Sequence, residues 1–286
     1  MSKADLTQLL ILAINSAFKA GIIHKEIYSK DFDIEYKSDS SPLTQADKLS
    51  NEIIKKTLKV ANFPFLSEED SEIDYNIRKK WDYYWIIDPL DGTKEFIKKN
   101  DEFSINIAFA YKSKVIFGVV YSPVTSEIYF NINSSKAYKS RLISVINYNN
   151  FKEFLKKAKR LNTIEPSDNI IIAASRSHLN EKTQSFINFL KSNYKNQVNI
   201  LNIGSAIKIC LVAEGIAQCY PRFGPTSEWD TAAGQAILNA VGGKIINLNT
   251  LQEIKYNRKC SLNTDFFAYS GIIGEKLFND YLSSLK

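Results

Sequence analysis

The sequence predicts a layered α/β fold of two lobes with a cleft between them, and three observations carry this. Residues 3–27 and 44–60 have the apolar spacing of two helices. From Tyr83 the pattern turns to period two, with strands at 104–111, 115–121 and 127–130 that read as an antiparallel meander packed on those helices. Beyond residue 169 strands and helices alternate, a pattern that places helices on both faces of a sheet.

The elements follow in order. Thr44 stands three residues before Asp47, which predicts a capping arrangement at the start of the second helix. In the first meander strand Ile105, Ile107, Phe109 and Tyr111 share one face. Residues 140–165 are rich in Asn and Lys, and the lobe boundary is expected there. This gives an N-terminal α+β lobe over 1–145 and a C-terminal α/β lobe over 146–286, together one structural unit. In the second lobe, strands at 169–174, 198–203, 217–220 and 244–247 alternate with helices at 181–193, from Ser205 and from Asp230.

Composition narrows the function. The formal charge of +6 suits an anionic ligand, but its lysines are scattered rather than striped with aromatics, which argues against nucleic acid. Cys210, Cys219 and Cys260 lack CxxC spacing and read as three buried, reduced thiols of a cytoplasmic protein. The apolar run at 9–14 is broken by Asn15 and is too short for a bilayer span, so a core helix and a cytoplasmic location are expected. His24 and His178 are the only histidines, which leaves almost no material for a His-ligated zinc site or a Ser-His-Asp relay. Metal chemistry must then rest on oxygen ligands, and those select Mg²⁺ or Mn²⁺.

Three acidic groups follow apolar stretches. Taken alone, Glu68-Glu69-Asp70 reads best as a solvated acidic helix start. Asp88-Pro89-Leu90-Asp91-Gly92-Thr93 is sharper. A hydrophobic strand ends in Asp88, Pro89 removes an amide donor, and Asp91 follows beside a turn-forming Gly92. Two carboxylates and the Leu90 carbonyl at a strand mouth are what a hard cation requires. Asp230 stands where an N-cap belongs, and a helix start also suits a phosphate. Glu68, Asp88, Asp91 and Asp230 together can hold two or more Mg²⁺ ions, with water activated by metal as nucleophile.

On Ser41-Pro42-Leu43-Thr44-Gln45-Ala46-Asp47, Ser67-Glu68-Glu69, Asp88 to Thr93 and Trp229 to Gly234, the sequence resembles the lithium-sensitive, Mg²⁺-dependent phosphatases of the inositol monophosphatase superfamily. These motifs follow in the expected order over nearly the whole chain. The resemblance implies an αβαβα sandwich of two lobes with the active site between them. Asp91-Gly92-Thr93-Lys94-Glu95-Phe96-Ile97, Ser175-Arg176-Ser177-His178 and Cys219-Tyr220-Pro221-Arg222-Phe223-Gly224-Pro225-Thr226 are most similar to the bacterial 3′(2′),5′-bisphosphate nucleotidases. That branch converts adenosine 3′,5′-bisphosphate, a by-product of sulfate assimilation, to AMP and phosphate.

The resemblance further implies that Glu68, Asp88, the Leu90 carbonyl, Asp91 and Asp230 ligate metal, the first, third and fourth also bordering the substrate. It implies that Asp47 and Thr93 orient and deprotonate the attacking water. Gly92, Thr93 and the helix start at Thr231 would cradle the phosphate, and His178, Ser205, Lys208, Arg222 and Asp230 would contact the nucleotide. Some members of the family lie peripherally on the cytoplasmic face of the inner membrane.

The residues themselves support the nucleotide set unevenly. Ser205 and Lys208 are one helical step apart and can face one ligand. The planar fork of Arg222 suits a second phosphate. Both cations read equally well as surface charges, and His178 as a partly buried hydrogen-bonding residue. Glu69 either orients a water near the metal or is solvated. An inositol or sugar phosphatase on the same scaffold is the alternative enzyme, and a non-catalytic nucleotide-binding module is the alternative from another class. Oligomeric state stays open.

Overall fold

The computed structural model describes residues 1–37, 42–162, 169–176, 180–194 and 197–285. Helix α1 (Lys3–Tyr28) opens on a capping box in which Ser2 and Asp5 exchange backbone–side-chain hydrogen bonds. By length and hydropathy α1 is long enough to cross a bilayer, more than the short run at 9–14 suggested, yet half of its apolar window is buried inside the fold. Leu10, Ile14 and Ala17 on its inner face join the core beside a sheet. Strands β1 (Ile34–Tyr36) and β2 (Pro42–Thr44) pair antiparallel, and α2 (Gln45–Leu58) starts with the expected Thr44–Asp47 box.

The first sheet follows: β3 (Phe65–Ser67), helix α3 (Tyr75–Arg78), β4 (Tyr83–Asp91), helix α4 (Thr93–Ile97), β5 (Ser104–Tyr111), β6 (Lys114–Ser122), β7 (Glu127–Asn133), β8 (Lys136–Arg141), helix α5 (Tyr148–Lys157) and β9 (Lys159–Arg160). Its seven strands lie in sequence order, and only the β3–β4 pair is parallel. Strand β5 is buried on both faces until Tyr111, which the alternation had placed inward but which is exposed at the strand end. Ile105, Ile107 and Phe109 pack toward α1, while the small Ala108 and Ala110 face the opposite core. The stretch 140–165 carries α5, and β9 still pairs with β8, so the first sheet extends past the boundary expected at 145.

The rest of the chain forms β10 (Asn169–Ser175), α6 (Glu181–Asn193), β11 (Gln197–Ile203), α7 (Ile207–Glu214), β12 (Cys219–Arg222), β13 (Thr226–Ser227), α8 (Glu228–Asn239), β14 (Lys244–Asn247), β15 (Gln252–Glu253), β16 (Leu262–Asn263), β17 (Phe266–Tyr269) and α9 (Gly271–Ser284). The second sheet is mixed, in order β11-β10-β12-β17-β14-β15. Helices α7 and α8 lie between the two sheets in one core, and α6 and α9 cover the outer face of the second. With α1 and α2 on the outer face of the first sheet, five layers result, as the resemblance implied. Gly118 sets the depth of α8. A Cβ there would come within 2.2 Å of the Ala233 carbonyl oxygen, so only hydrogen fits where the helix crosses β6.

Local chemistry corrects several expectations. Helix α8 begins at Glu228 on an Ser227 N-cap, and Asp230 is the third residue of a capping box rather than the cap. Helix α7 begins at Ile207, because Ser205 has a left-handed φ of 52°. Strand β17 and helix α9 were not anticipated: β17 is too short and uniformly apolar to show a period. Cys210 and Cys219 are buried free thiols, but Cys260 is exposed, since it lies in a surface loop outside any sheet or helix.

His24 is fully buried on α1, edge-on to Phe96 and Phe103. Neither ring nitrogen makes a hydrogen bond among the described residues. Burial pulls its pKa down to about 3, and the nearby Pro89 carbonyl opposes this only weakly. Below pH 6.5 the unfolded chain therefore takes up a proton that the fold refuses, so stability falls with pH through this window. At pH 4.5 the cost from this group is roughly 3 kcal/mol, from about 1.4 kcal/mol per pH unit. His24→Leu is expected to lose correspondingly less stability than the parent between pH 7 and pH 4.5 in urea titrations. Parallel losses in the two proteins would remove His24 as the cause.

Candidate active site

Strand β4 carries its apolar run into the interior and then breaks register against β5 between Asp88 and Asp91. Pro89 sits inside that break, where a missing amide donor costs no ladder bond. Gly92 takes a φ of 95°, so the chain turns at once into α4. The Leu90 amide donates to Asp88 Oδ1 at 3.1 Å, while Asp88 Oδ2 is buried with no hydrogen-bond partner among the described residues. Asp91 Oδ2 accepts from Asn106 Nδ2 at 3.0 Å and from the Ala206 amide at 2.5 Å.

Two other elements complete the cluster. Glu68 follows β3, and its amide donates to the Ile87 carbonyl next to Asp88. Asp230 sits in the first turn of α8, where its Oδ2 accepts from the Ser227 amide at 2.8 Å. One carboxylate oxygen each of Glu68, Asp88 and Asp230 lies within 4.8 Å of the others. Burial, and then the neighbouring acids, raise the pKa of Asp88 and Asp230 well above the carboxylate range. Burial raises Glu68 and Asp91 as well, against the pull of Lys37 on the first and Lys208 on the second. An all-oxygen donor set with an unpartnered buried carboxylate oxygen fits a hard divalent cation.

Beside this cluster, the Thr93 hydroxyl lies 3.1 Å from Asp47 Oδ1 and 3.2 Å from the Leu90 carbonyl oxygen. Asp47 Oδ2 is held by the Thr44 amide and hydroxyl, both at 2.7 Å. Burial raises the Asp47 pKa, and the Thr44 bonds oppose the shift. The cap of α2 thus aims one carboxylate oxygen at Thr93.

A cavity of about 280 Å³ joins these groups to the second sheet and α7 and is lined by Glu68, Asp88, Leu90, Asp91, Gly92, Thr93, Ser205, Lys208, Arg222 and Asp230. It thus brings together the proposed metal and substrate set, with Asp47 just behind Thr93. His178 lies outside the described residues. Lys208 and Arg222 are 6% and 7% exposed, which removes the surface-charge reading for both. Lys208 Nζ donates to the Ser205 carbonyl at 2.7 Å and lies over the Tyr220 ring, and burial lowers its pKa to about 8. Ser205 itself stands outside the helix, so Lys208 reaches it through the backbone rather than by a shared helical face. Arg222 Nη2 donates to the Pro225 carbonyl at 3.0 Å, and its Nε is buried without a partner among the described residues.

Other expectations change. Glu68 to Asp70 form a turn after β3 rather than a helix start. Glu69 is not solvated: its side chain is largely buried and pairs with Lys37 Nζ at 2.6 Å. The same ammonium reaches Glu68 at 3.0 Å, and those two charges keep it protonated although burial opposes this. Sequence reasoning missed Lys37, which carries no local signal. It also missed Asn106, whose signal was a lone amide on the small-residue face of β5. Glu228 is structural: its buried carboxylate accepts from the Asn257 and Arg258 amides.

The profile of the inositol monophosphatase family matches residues 5–277. The chain is 39% identical to the 3′(2′),5′-bisphosphate nucleotidase CysQ of Buchnera aphidicola over 80% of each chain. It is 38% identical to the 3′(2′),5′-bisphosphate nucleotidase CysQ of Salmonella typhimurium, covering 84% of this chain and 89% of that one. The crystal structure of CysQ from Bacteroides thetaiotaomicron, a bacterial member of the same family, superposes with a TM-score of 0.83 at 41% identity, covering 94% of this chain and 97% of that one.

Carboxylates raised by burial and mutual repulsion stabilise the cation-free fold at low pH and lose that contribution as pH rises through their folded pKa values. Mg²⁺ at a hundredfold excess over Kd is expected to add about 2.7 kcal/mol, or roughly 5–10 °C in Tm, with a larger gain at pH 8 than at pH 6. Asp88→Asn should raise the cation-free Tm and abolish most of the gain. Thermal melts with and without Mg²⁺ at both pH values check this, and a variant still stabilised like the parent would exclude Asp88 as a ligand.

Proposed function

The chain belongs to the inositol monophosphatase family, and from that premise we propose that it hydrolyses the 3′-phosphate of adenosine 3′,5′-bisphosphate to give AMP and phosphate. The observation that carries the substrate is the pair of buried cations beside the carboxylate cluster. Among the described residues a buried guanidinium nitrogen of Arg222 has no partner, and Lys208 lies within the same cavity. A substrate with one phosphate at the carboxylates needs no such pair, whereas a second, non-reacting phosphate matches it. The nucleotidase names and 38–39% identity of the relatives support the same reading.

Glu68, Asp88, the Leu90 carbonyl, Asp91 and Asp230 would hold two or more divalent cations, Mg²⁺ in the first place and Mn²⁺ as substitute. When bound, the cations supply Lewis acidity, drawing charge from the phosphoryl oxygens and acidifying the attacking water. The water oxygen bonds to phosphorus as the bond to the 3′-oxygen breaks, and the 3′-oxygen takes a proton from solvent. The Thr93 hydroxyl relays the water proton to Asp47 Oδ1, 3.1 Å away. Gly92, Thr93 and the first turn of α8 at Thr231 cradle the reacting phosphate. Ser205, Lys208 and Arg222, with His178, hold the nucleotide, and Tyr220 and Phe266 give the cavity an apolar wall. Binding energy from the remote phosphate positions the reacting one.

Thr93→Ala is expected to lower kcat by about 10²–10⁴-fold while changing KM little, since a relayed proton transfer contributes on that scale. A variant that only loses Tm would reduce Thr93 to a turn cap. Arg222→Ala should raise KM for adenosine 3′,5′-bisphosphate about ten- to a hundredfold and flatten its preference over AMP, because a charge-assisted bond contributes roughly 1.5–3 kcal/mol. Phosphate release across adenosine 3′,5′-bisphosphate, AMP, inositol 1-phosphate and fructose 1,6-bisphosphate checks both. Equal or faster turnover of inositol 1-phosphate by the parent enzyme would transfer the assignment to the inositol or sugar phosphatase alternative.

A further inference from the structure

We propose that Glu102 and Arg176 form a positioning pair that clamps the turn at residues 202–206 of the second lobe onto the first lobe, and so sets the substrate side of the cleft. Glu102 stands in the loop between α4 and β5. Its carboxylate accepts from Arg176 Nε at 2.8 Å and Nη2 at 2.6 Å, a two-pronged pair, and from the Gly204 amide at 2.9 Å. Arg176 follows β10 and also donates from Nη2 to the Asn202 carbonyl at 2.8 Å. One guanidinium therefore ties the ends of β10 and β11 to each other and to the opposite lobe.

The turn is gripped from its other side as well. The Ala206 amide donates to Asp91 Oδ2 at 2.5 Å, and Lys208 Nζ holds the Ser205 carbonyl at 2.7 Å. The backbone is pressed against the first lobe: a Cβ on Gly204 would come within 2.5 Å of the Glu102 carbonyl oxygen. Ser205 keeps its left-handed φ of 52°, a conformation that persists when surrounding contacts over-determine it. Two of the residues lining the substrate side, Ser205 and Lys208, thus depend on where this turn is held.

An exposed ion pair alone contributes little to stability, and the Arg176 side chain is 49% exposed. The fork geometry and the shared Gly204 amide give this pair direction rather than much energy. Its loss is therefore expected in substrate placement more than in melting temperature.

The choice of substrate here rests on the nucleotidase reading. Glu102→Gln is expected to raise KM for adenosine 3′,5′-bisphosphate about tenfold, with kcat within about twofold, and to leave turnover of p-nitrophenyl phosphate, which uses the carboxylate cluster alone, unchanged. Arg176→Ala, at an exposed position, should do the same, and the double variant should lose no more than either single one. Unchanged KM, equal loss on both substrates, or additive losses would each overturn the pairing. Amide hydrogen exchange tests the clamp without substrate: Gly204 and Ala206 should exchange faster in Glu102→Gln, and retained protection would overturn the proposal. If the parent enzyme leaves the bisphosphate intact, the nucleotidase reading fails, and the exchange result alone decides the clamp.

Discussion

Glu68, Asp88 and Asp230 place carboxylate oxygens within 4.8 Å of one another in a largely buried pocket. At an effective dielectric of about 20, unit like charges at that separation repel by roughly 3 kcal/mol. Without a cation, burial first and this repulsion second favour the protonated acids, so the pKa values of Asp88 and Asp230 rise. The surrounding fold must therefore hold groups together that push apart. It does so by binding each Asp through backbone amides: Leu90 for Asp88, Ala206 for Asp91, Ser227 for Asp230. In each case the amide engages one oxygen, and for Asp88 the other is buried with no partner among the described residues.

The layers make that convergence geometric. Strand β4 delivers Asp88 and Asp91, and parallel β3 sets Glu68 beside them. Helix α8, packed tightly over Gly118, brings its first turn to the same point from between the sheets. Helix α2 contributes Asp47 through its cap, so the Thr44–Asp47 box both starts a helix and aims an acceptor at Thr93. The second sheet and α7 contribute Arg222 and Lys208 to the opposite wall of the cavity. The cavity thus joins an acidic floor on the first sheet to a cationic wall formed by Lys208 and Arg222.

Much of this was legible in local sequence. A hydrophobic strand ending in Asp88-Pro89-Leu90-Asp91-Gly92-Thr93 states its own turn, because Pro and Gly restrict or release the backbone within a few residues. The Thr44–Asp47 spacing likewise declares a helix start. Asp230 was legible as a helix-start acid, but the cap lies three positions earlier, at Ser227, and Asp230 is the third residue of the helix.

The sequence by itself determined the meander, the alternation that follows it and the acid-rich strand end, all of which arise from neighbours within a few residues. Only the tertiary structure decided which groups meet across the cleft. The Ala206–Asp91 bond spans 115 positions, Arg176 reaches Glu102 over 74, and Lys37 reaches Glu68 over 31. Burial of Lys208 and Arg222 was equally invisible, because a cation looks the same in sequence whether water or a folded wall surrounds it. Local order follows from backbone preference, whereas charge partners and dielectric follow from packing.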